Sequence, residues 1–262
     1  MNINKRSSTI LLIIVAAVAC LAYIFIRSLA APTSSKGFTA TDIQNIHIDV
    51  ENAKVHMEAI KSRENKTEVE VIAKGKYDSS NINIESKNNV LVIEQVGSHK
   101  ILDINLINSL DIYVKVETDE AANQLDQIIV TSENGRVAIE NLRSRTIAVQ
   151  SKNGEINMRE ISSDELSAHS TSGAIRLDGV NTSKLDTTTE NGSSHIVFSN
   201  KLENLIASSA SSSGSINYIF HNNISLDLKW KGKWSSTLTS DEDSPNKIVL
   251  ESGSGKISVS RE

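Results

Sequence analysis

Six histidines, one cysteine and 32 carboxylates are the side chains on which metal, redox or acid–base chemistry could rest in this 262-residue chain. The histidines (His47, His56, His99, His169, His195 and His221) show neither the HxH nor the HxxxH spacing that turns two imidazoles toward one ion, and they are expected as polar surface residues. Cys20 stands alone, which excludes an internal disulfide, a cysteine zinc site and a thiol redox pair. No GxSxG, HExxH or phosphate loop occurs. The acidic run Asp241-Glu242-Asp243 lacks the glycine and the spaced oxygens of a calcium loop and reads as a solvated loop. No catalytic residue, metal ligand or cofactor is therefore expected.

Two patterns on strands deserve separate treatment. Glycoside cleavage needs two carboxylates facing each other in one groove, yet Glu133, Lys152, Thr171 and Glu190, which recur at one repeat position, form no acidic row. In Trp230-Lys-Gly-Lys-Trp234 the tryptophans are four apart, so on a strand both face one way, with lysines on the other. They are a candidate platform on which a sugar ring could stack. The structural alternative, favoured here, makes Gly232 the missing corner glycine between Gly214 and Gly255 and the indoles a cover over the last coils, since terminal repeats need atypical capping residues.

The elements that must carry these residues follow from an internal repeat. Gly135, Gly154, Gly173 and Gly192 are spaced by 19, Gly214 follows after 22, and Gly255 after a further 41. Apolar pairs two apart stand before each glycine (Ile128/Val130, Ile147/Val149, Leu166/Ala168) and after it (Val137/Ile139, Ile156/Met158, Ile175/Leu177). In the Gly192 repeat this frame is expected to slip by two, to Ile196/Phe198. Three residues before each glycine stands a hydroxyl: Ser132, Ser151, Ser170, Thr189, Ser211 and Ser252. A third apolar residue seven after the glycine, in Leu142, Ile161 and Val180, marks another inward corner. The frame weakens toward the N-terminus, at Ile46/Ile48 with Val55/Met57 and at Ile82/Ile84 with Leu91/Ile93.

A period of two means short strands with alternate side chains buried, joined at tight corners where glycine is expected to supply positive φ. An Asn-Gly between strands also suits an antiparallel meander. The recurring hydroxyl decides for an all-β parallel solenoid of 19–22-residue coils, where it becomes an inward ladder at the strand spacing of about 4.8 Å. Roughly ten coils would then make a rod on the order of 50 Å long.

Thr9 to Ile26 carries no charge, follows Lys5 and Arg6 and precedes Arg27, and is long enough to span a bilayer. We expect a cytoplasmic tail over 1–8, an uncleaved transmembrane signal anchor over 9–27, a linker over 28–39 and an extracytoplasmic β-solenoid domain over 40–262. Lipidation at Cys20 and cleavage after Ala30 are the two processed alternatives. Beyond residue 36 the chain holds 23 basic against 32 acidic side chains, which argues against nucleic-acid binding.

Ile46, Val55-His-Met57, the strands Val69–Gly75 and Asn89–Ile93, and above all Leu125-Asp-Gln-Ile-Ile-Val-Thr-Ser-Glu-Asn-Gly135 with its successors resemble a bacterial putative-adhesin β-strand-repeat family, including its LiaG-like membrane-anchored members. The resemblance covers residues 40–260. It implies a parallel β-solenoid body at the cell envelope and no catalytic residues. The expected function is a non-enzymatic, membrane-anchored envelope protein that presents its surface for adhesion or wall-polymer binding. The alternative is an accessory protein contacting an envelope-stress sensor or transporter, and a polysaccharide-active enzyme is a third.

Overall fold

The computed structural model describes residues 34–61, 67–75, 81–95, 110–118, 125–200, 202, 204–221 and 224–261. The expected tail, the 9–27 anchor with Cys20, residues 28–33 of the linker, and His99 lie outside them. The described residues are almost entirely β-structure, and no helix among them is long and apolar enough to cross a membrane.

The repeat becomes a stack. Strands β8 (Leu125–Ser132) and β9 (Val137–Glu140) make one coil, β10 (Arg143–Ser151) and β11 (Ile156–Arg159) the next, and β12 (Ser162–Ser170) with the start of β13 (Ile175–Thr189) a third. The rest of β13 turns the next corner into β14 (Ser194–Phe198) to make a fourth coil, and β15 (Ile206–Ser211) with β16 (Ile216–Phe220) makes a fifth. All these coils pair in parallel and in register, residue on residue: Ile128, Ile147, Leu166, Leu185 and Ala207 form one column. Parallel register rules out the meander. It also places alternate side chains in the interior, where Ile128, Ile147, Val137, Ile156 and Ile175 are fully buried.

The stack does not follow chain order at either end. Strands β2 (Asn45–Val50) and β3 (Ala53–Lys61) lie directly on β8 and β9, and β6 (Val90–Gln95) and β7 (Leu110–Thr118) lie beyond them. At the other end β18 (Lys247–Arg261) sits between the β15–β16 coil and β17 (Asp227–Ser236). Thus β2–β3 lie a layer inside β6–β7, and β18 a layer inside β17.

Three expectations change here. Strands β5 (Ile82–Lys87) and β6 are an antiparallel hairpin rather than a coil, turned at Asn88 and Asn89, whose φ values of 51° and 64° suit a type I′ turn. Strand β4 (Glu68–Gly75) is also antiparallel, between β7 and β1 (Ser34–Thr41). Strand β1 takes in residues 34–39 of the linker expected over 28–39. Finally, the Gly192 coil does not slip: Ser194 and Ile196 stack on Ile175 and Leu177, and the extra residues of its longer period fall after Phe198.

Candidate functional site

The corner glycines are set by approach, not by φ. None of Gly135, Gly154, Gly173, Gly192, Gly214 and Gly255 has positive φ. Instead a Cβ on Gly154 would stand 1.8 Å from the carbonyl oxygen of Gly135, and the same clash recurs up the column with carbonyls 1.5–2.1 Å away. The expected reason for glycine is thereby corrected. Each buried hydroxyl serves the same corner: Ser132, Ser151, Ser170, Thr189 and Ser211 accept the N–H of the glycine three residues on, at 2.7–3.1 Å. Ser211 and Ser252 donate to the carbonyls of Gly192 and Gly214 in the coil beneath. These residues build the scaffold and leave no hydroxyl turned to solvent.

Positive φ occurs at the second corner, at Asn141 (56°), Glu160 (51°) and Gly179 (67°), each just before the buried Leu142, Ile161 or Val180. Two further ladders escaped the sequence reading. Buried Ser144, Ser163 and Thr182 form a second hydroxyl column, with Ser163 donating to Thr182 over 3.3 Å. At the exposed first corner, Asn153 donates to Asn134 (2.7 Å) and Asn134 to Asn52 (2.8 Å). Inside, Tyr218 shares a hydrogen-bonded triad with Ser209 (2.7 Å) and Thr187, packed among Phe198 and Phe220. Burial holds its phenol well above the usual tyrosine range.

The two tryptophans are brought together. Their rings stack face to face, centroids 4.2 Å apart and 10° from parallel. Trp230 pairs in register with Leu250 and Trp234 with Ile257, so both continue interior columns at the end of the stack. Gly232 is not the missing glycine between Gly214 and Gly255; those two are direct neighbours, and Gly232, at φ 132°, lies outside them above Ser252. Lys229, Lys231 and Lys233 face solvent along β17, which among the described residues pairs only with β18 and is an edge strand. Charged lysines on such an edge oppose pairing with another chain.

The histidines disperse. His47 lies 3.4 Å from Gln127, His169 is 3.8 Å from Asp186, and His195 is 3.0 Å from Asn217. Among the described residues no three His, Cys, Asp or Glu side chains are placed to hold a metal. Within the acidic run, Asp241 accepts the Asp243 N–H at 3.2 Å and the Ser225 hydroxyl, a local turn.

His56 alone enters a more elaborate surface. Its ring stacks on Tyr113 of the adjacent strand, with centroids 5.1 Å apart and 12° between planes, and the Lys74 ammonium lies 4.8 Å from the Tyr113 centroid on the other side. Ile72, Tyr113, His56 and Ala138 form one outward row across β4, β7, β3 and β9. Two residues along, Glu70, Lys115, Glu58 and Glu140 form the next row. Together they line an open groove of about 480 Å³. Lys115 donates to Glu117 at 2.8 Å, and that bond, with Glu70 and Glu68 nearby, holds its ammonium above the usual lysine range. The groove joins segments from four strands, β3, β4, β7 and β9, that are separate in sequence, and no local motif announces it.

Similarity to solved structures extends over most of the chain at low identity. A putative adhesin from Bacteroides fragilis is 14% identical, with 89% of this chain and 98% of that one covered and a TM-score of 0.47. One from Parabacteroides merdae is 12% identical over 89% and 97%, TM-score 0.44, and a putative lipid binding protein from Parabacteroides distasonis is 16% identical over 87% and 97%, TM-score 0.45. No curated protein matches. The family model described as Toastrack DUF4097 matches residues 43–261, which takes in every coil of the stack, and the chain belongs to that family.

Proposed function

We propose that this is a non-enzymatic cell-envelope protein, held at the membrane by residues 9–27, whose extracytoplasmic stack binds wall polymer or an adhesive surface. The observation that carries this reading is the outward row Ile72–Tyr113–His56, a band of apolar and aromatic side chains on paired strands, with Tyr113 37% exposed. Side chains in register on stacked strands cost little further ordering when a partner settles on them, the condition under which a weak repeated contact becomes useful binding. The uncharged Thr9–Ile26 segment and the acidic body support the membrane location and argue against nucleic acid.

Cosedimentation of residues 34–262 with insoluble wall material over a salt series tests the reading. Salt-resistant pelleting is the expected result, with Trp230→Ala/Trp234→Ala as a second arm. If that variant pellets less while keeping its fold, the tryptophans, and not the groove, are the platform. Absence of pelleting would discard wall binding and turn the search to a membrane-protein partner, by cross-linking of the anchored chain.

A further inference from the structure

Within the groove one position is built differently from its neighbours. Strand β3 lies between β7 and β9, so one face of the His56 imidazole is against Tyr113 and the other looks toward Ala138. Opposite that second face stands only a methyl group, and a slot opens where the row would otherwise continue with a large side chain. Tyr113 is flanked by His56 and by the Lys74 ammonium, so the two stacked rings form one wall of the slot.

The charge along the slot is equally particular. In the neighbouring row Lys115 separates Glu70 from Glu58, and Arg159 follows Glu140, but Glu58 and Glu140 are direct cross-strand neighbours with no cation between them. Adjacent strands lie about 4.8 Å apart, and like charges directly opposite destabilise a sheet. Both carboxylates flank the slot, each two residues from its walls at His56 and Ala138. A cation at this point would relieve the repulsion, and the aromatic wall demands that the cation be attached to a flat, C–H-rich body.

We propose that the slot between His56, Ala138, Glu58 and Glu140 binds an amino sugar carrying a free ammonium group. The sugar ring lays its C–H face on the imidazole, and the ammonium donates to both carboxylates. This rests on the wall-binding reading and gives it a chemical class: saccharide whose amines are not acetylated. N-acetylation removes the charge and adds bulk between two carboxylates, so the slot discriminates against the acetylated sugar on two counts.

The test is isothermal titration of the full chain in detergent micelles with a β-1,4-linked glucosamine tetramer and, separately, its fully N-acetylated counterpart. The unacetylated tetramer is expected to bind at least tenfold more tightly. Glu58→Gln/Glu140→Gln should remove that preference, and His56→Ala should weaken binding with the preference kept. Glu165→Gln/Glu190→Gln, on β12 and at the corner after β13 and outside the groove, controls for general attraction to an acidic protein and should change nothing. Equal affinity for the two tetramers, no binding of either, undiminished binding by the Glu58/Glu140 variant, or an equal loss in the Glu165/Glu190 control would each overturn the proposal. All substituted side chains are at the surface, so far-UV circular dichroism should match the parent. Should the titration fail while pelleting with wall material persists, the slot is wrong and the wall-binding reading stands.

Discussion

Gly154 and Gly37 lack the same Cβ for opposite reasons. At Gly37 an added methyl meets nothing within 4 Å, whereas at Gly154 it would stand 1.8 Å from a backbone carbonyl that the coil beneath holds in place. Gly154→Ala should therefore destabilise the body by about 3 kcal/mol or more, the upper end of what overpacking costs, and Gly37→Ala should be neutral to within about 0.5 kcal/mol. Urea midpoints of the two variants check the contrast. The recurrence of Ser-x-x-Gly was legible in the sequence because identical contacts select identical residues. The reason for the glycine was not, since a tight turn and a close approach leave the same letter. The positive-φ corner hid for a related reason: Asn141, Glu160 and Gly179 share a backbone conformation without sharing a side chain.

Among elements, β17 shows most clearly what a linear pattern can and cannot reveal. Its same-facing tryptophans were visible from spacing alone, but their neighbours were not, because β18 enters the stack beneath them from later in the chain. Face-to-face indoles at 4.2 Å should give an exciton couplet in the far-ultraviolet circular dichroism spectrum, which either Trp230→Phe or Trp234→Phe abolishes. A spectrum without the couplet would mean that the two rings do not stack in solution. The β5–β6 hairpin was misread as a coil because Asn88-Asn89 imitates an Asn-Gly corner, and only the two positive φ values reverse the strand. The groove was invisible for a simpler reason: His56, Ile72, Tyr113 and Ala138 meet only after three non-consecutive pairings form.

At the scale of the whole stack the interior is lined by apolar side chains and columns of buried hydroxyls, and among the latter Ser209 and Thr187 hold the buried Tyr218. Its phenol stays neutral in the folded body far above the pH of about 10 at which an exposed tyrosine ionises. The unfolded chain therefore releases this proton first, so stability contributed by the neutral phenol is intact below pH 10 and falls as pH rises past it. Spectrophotometric titration should show Tyr218 ionising only together with loss of β-structure, and Tyr218→Phe should flatten the alkaline fall in stability. An early, reversible ionisation of all four tyrosines in the folded chain would contradict the buried position. At this scale the parallel stack was legible from the repeat, while its antiparallel end was not, because β1, β4 and β5 alternate as any strand does and carry no mark of direction.

The position of β18 between β16 and β17 also sets a timetable. A chain made from its N-terminus can lay down the middle coils as they appear, but the layer on which β17 rests is synthesised only after β17 itself. Until it arrives, the β15–β16 coil shows a bare edge and β17 lacks the strand it pairs with among the described residues. A chain lacking residues 247–262 should be cut by protease within 227–236 while its middle coils survive, and the full-length protein should resist at both. A segment later in the chain than β17 thus closes the layer beneath it, and β17 is expected to resist protease only once β18 is in place.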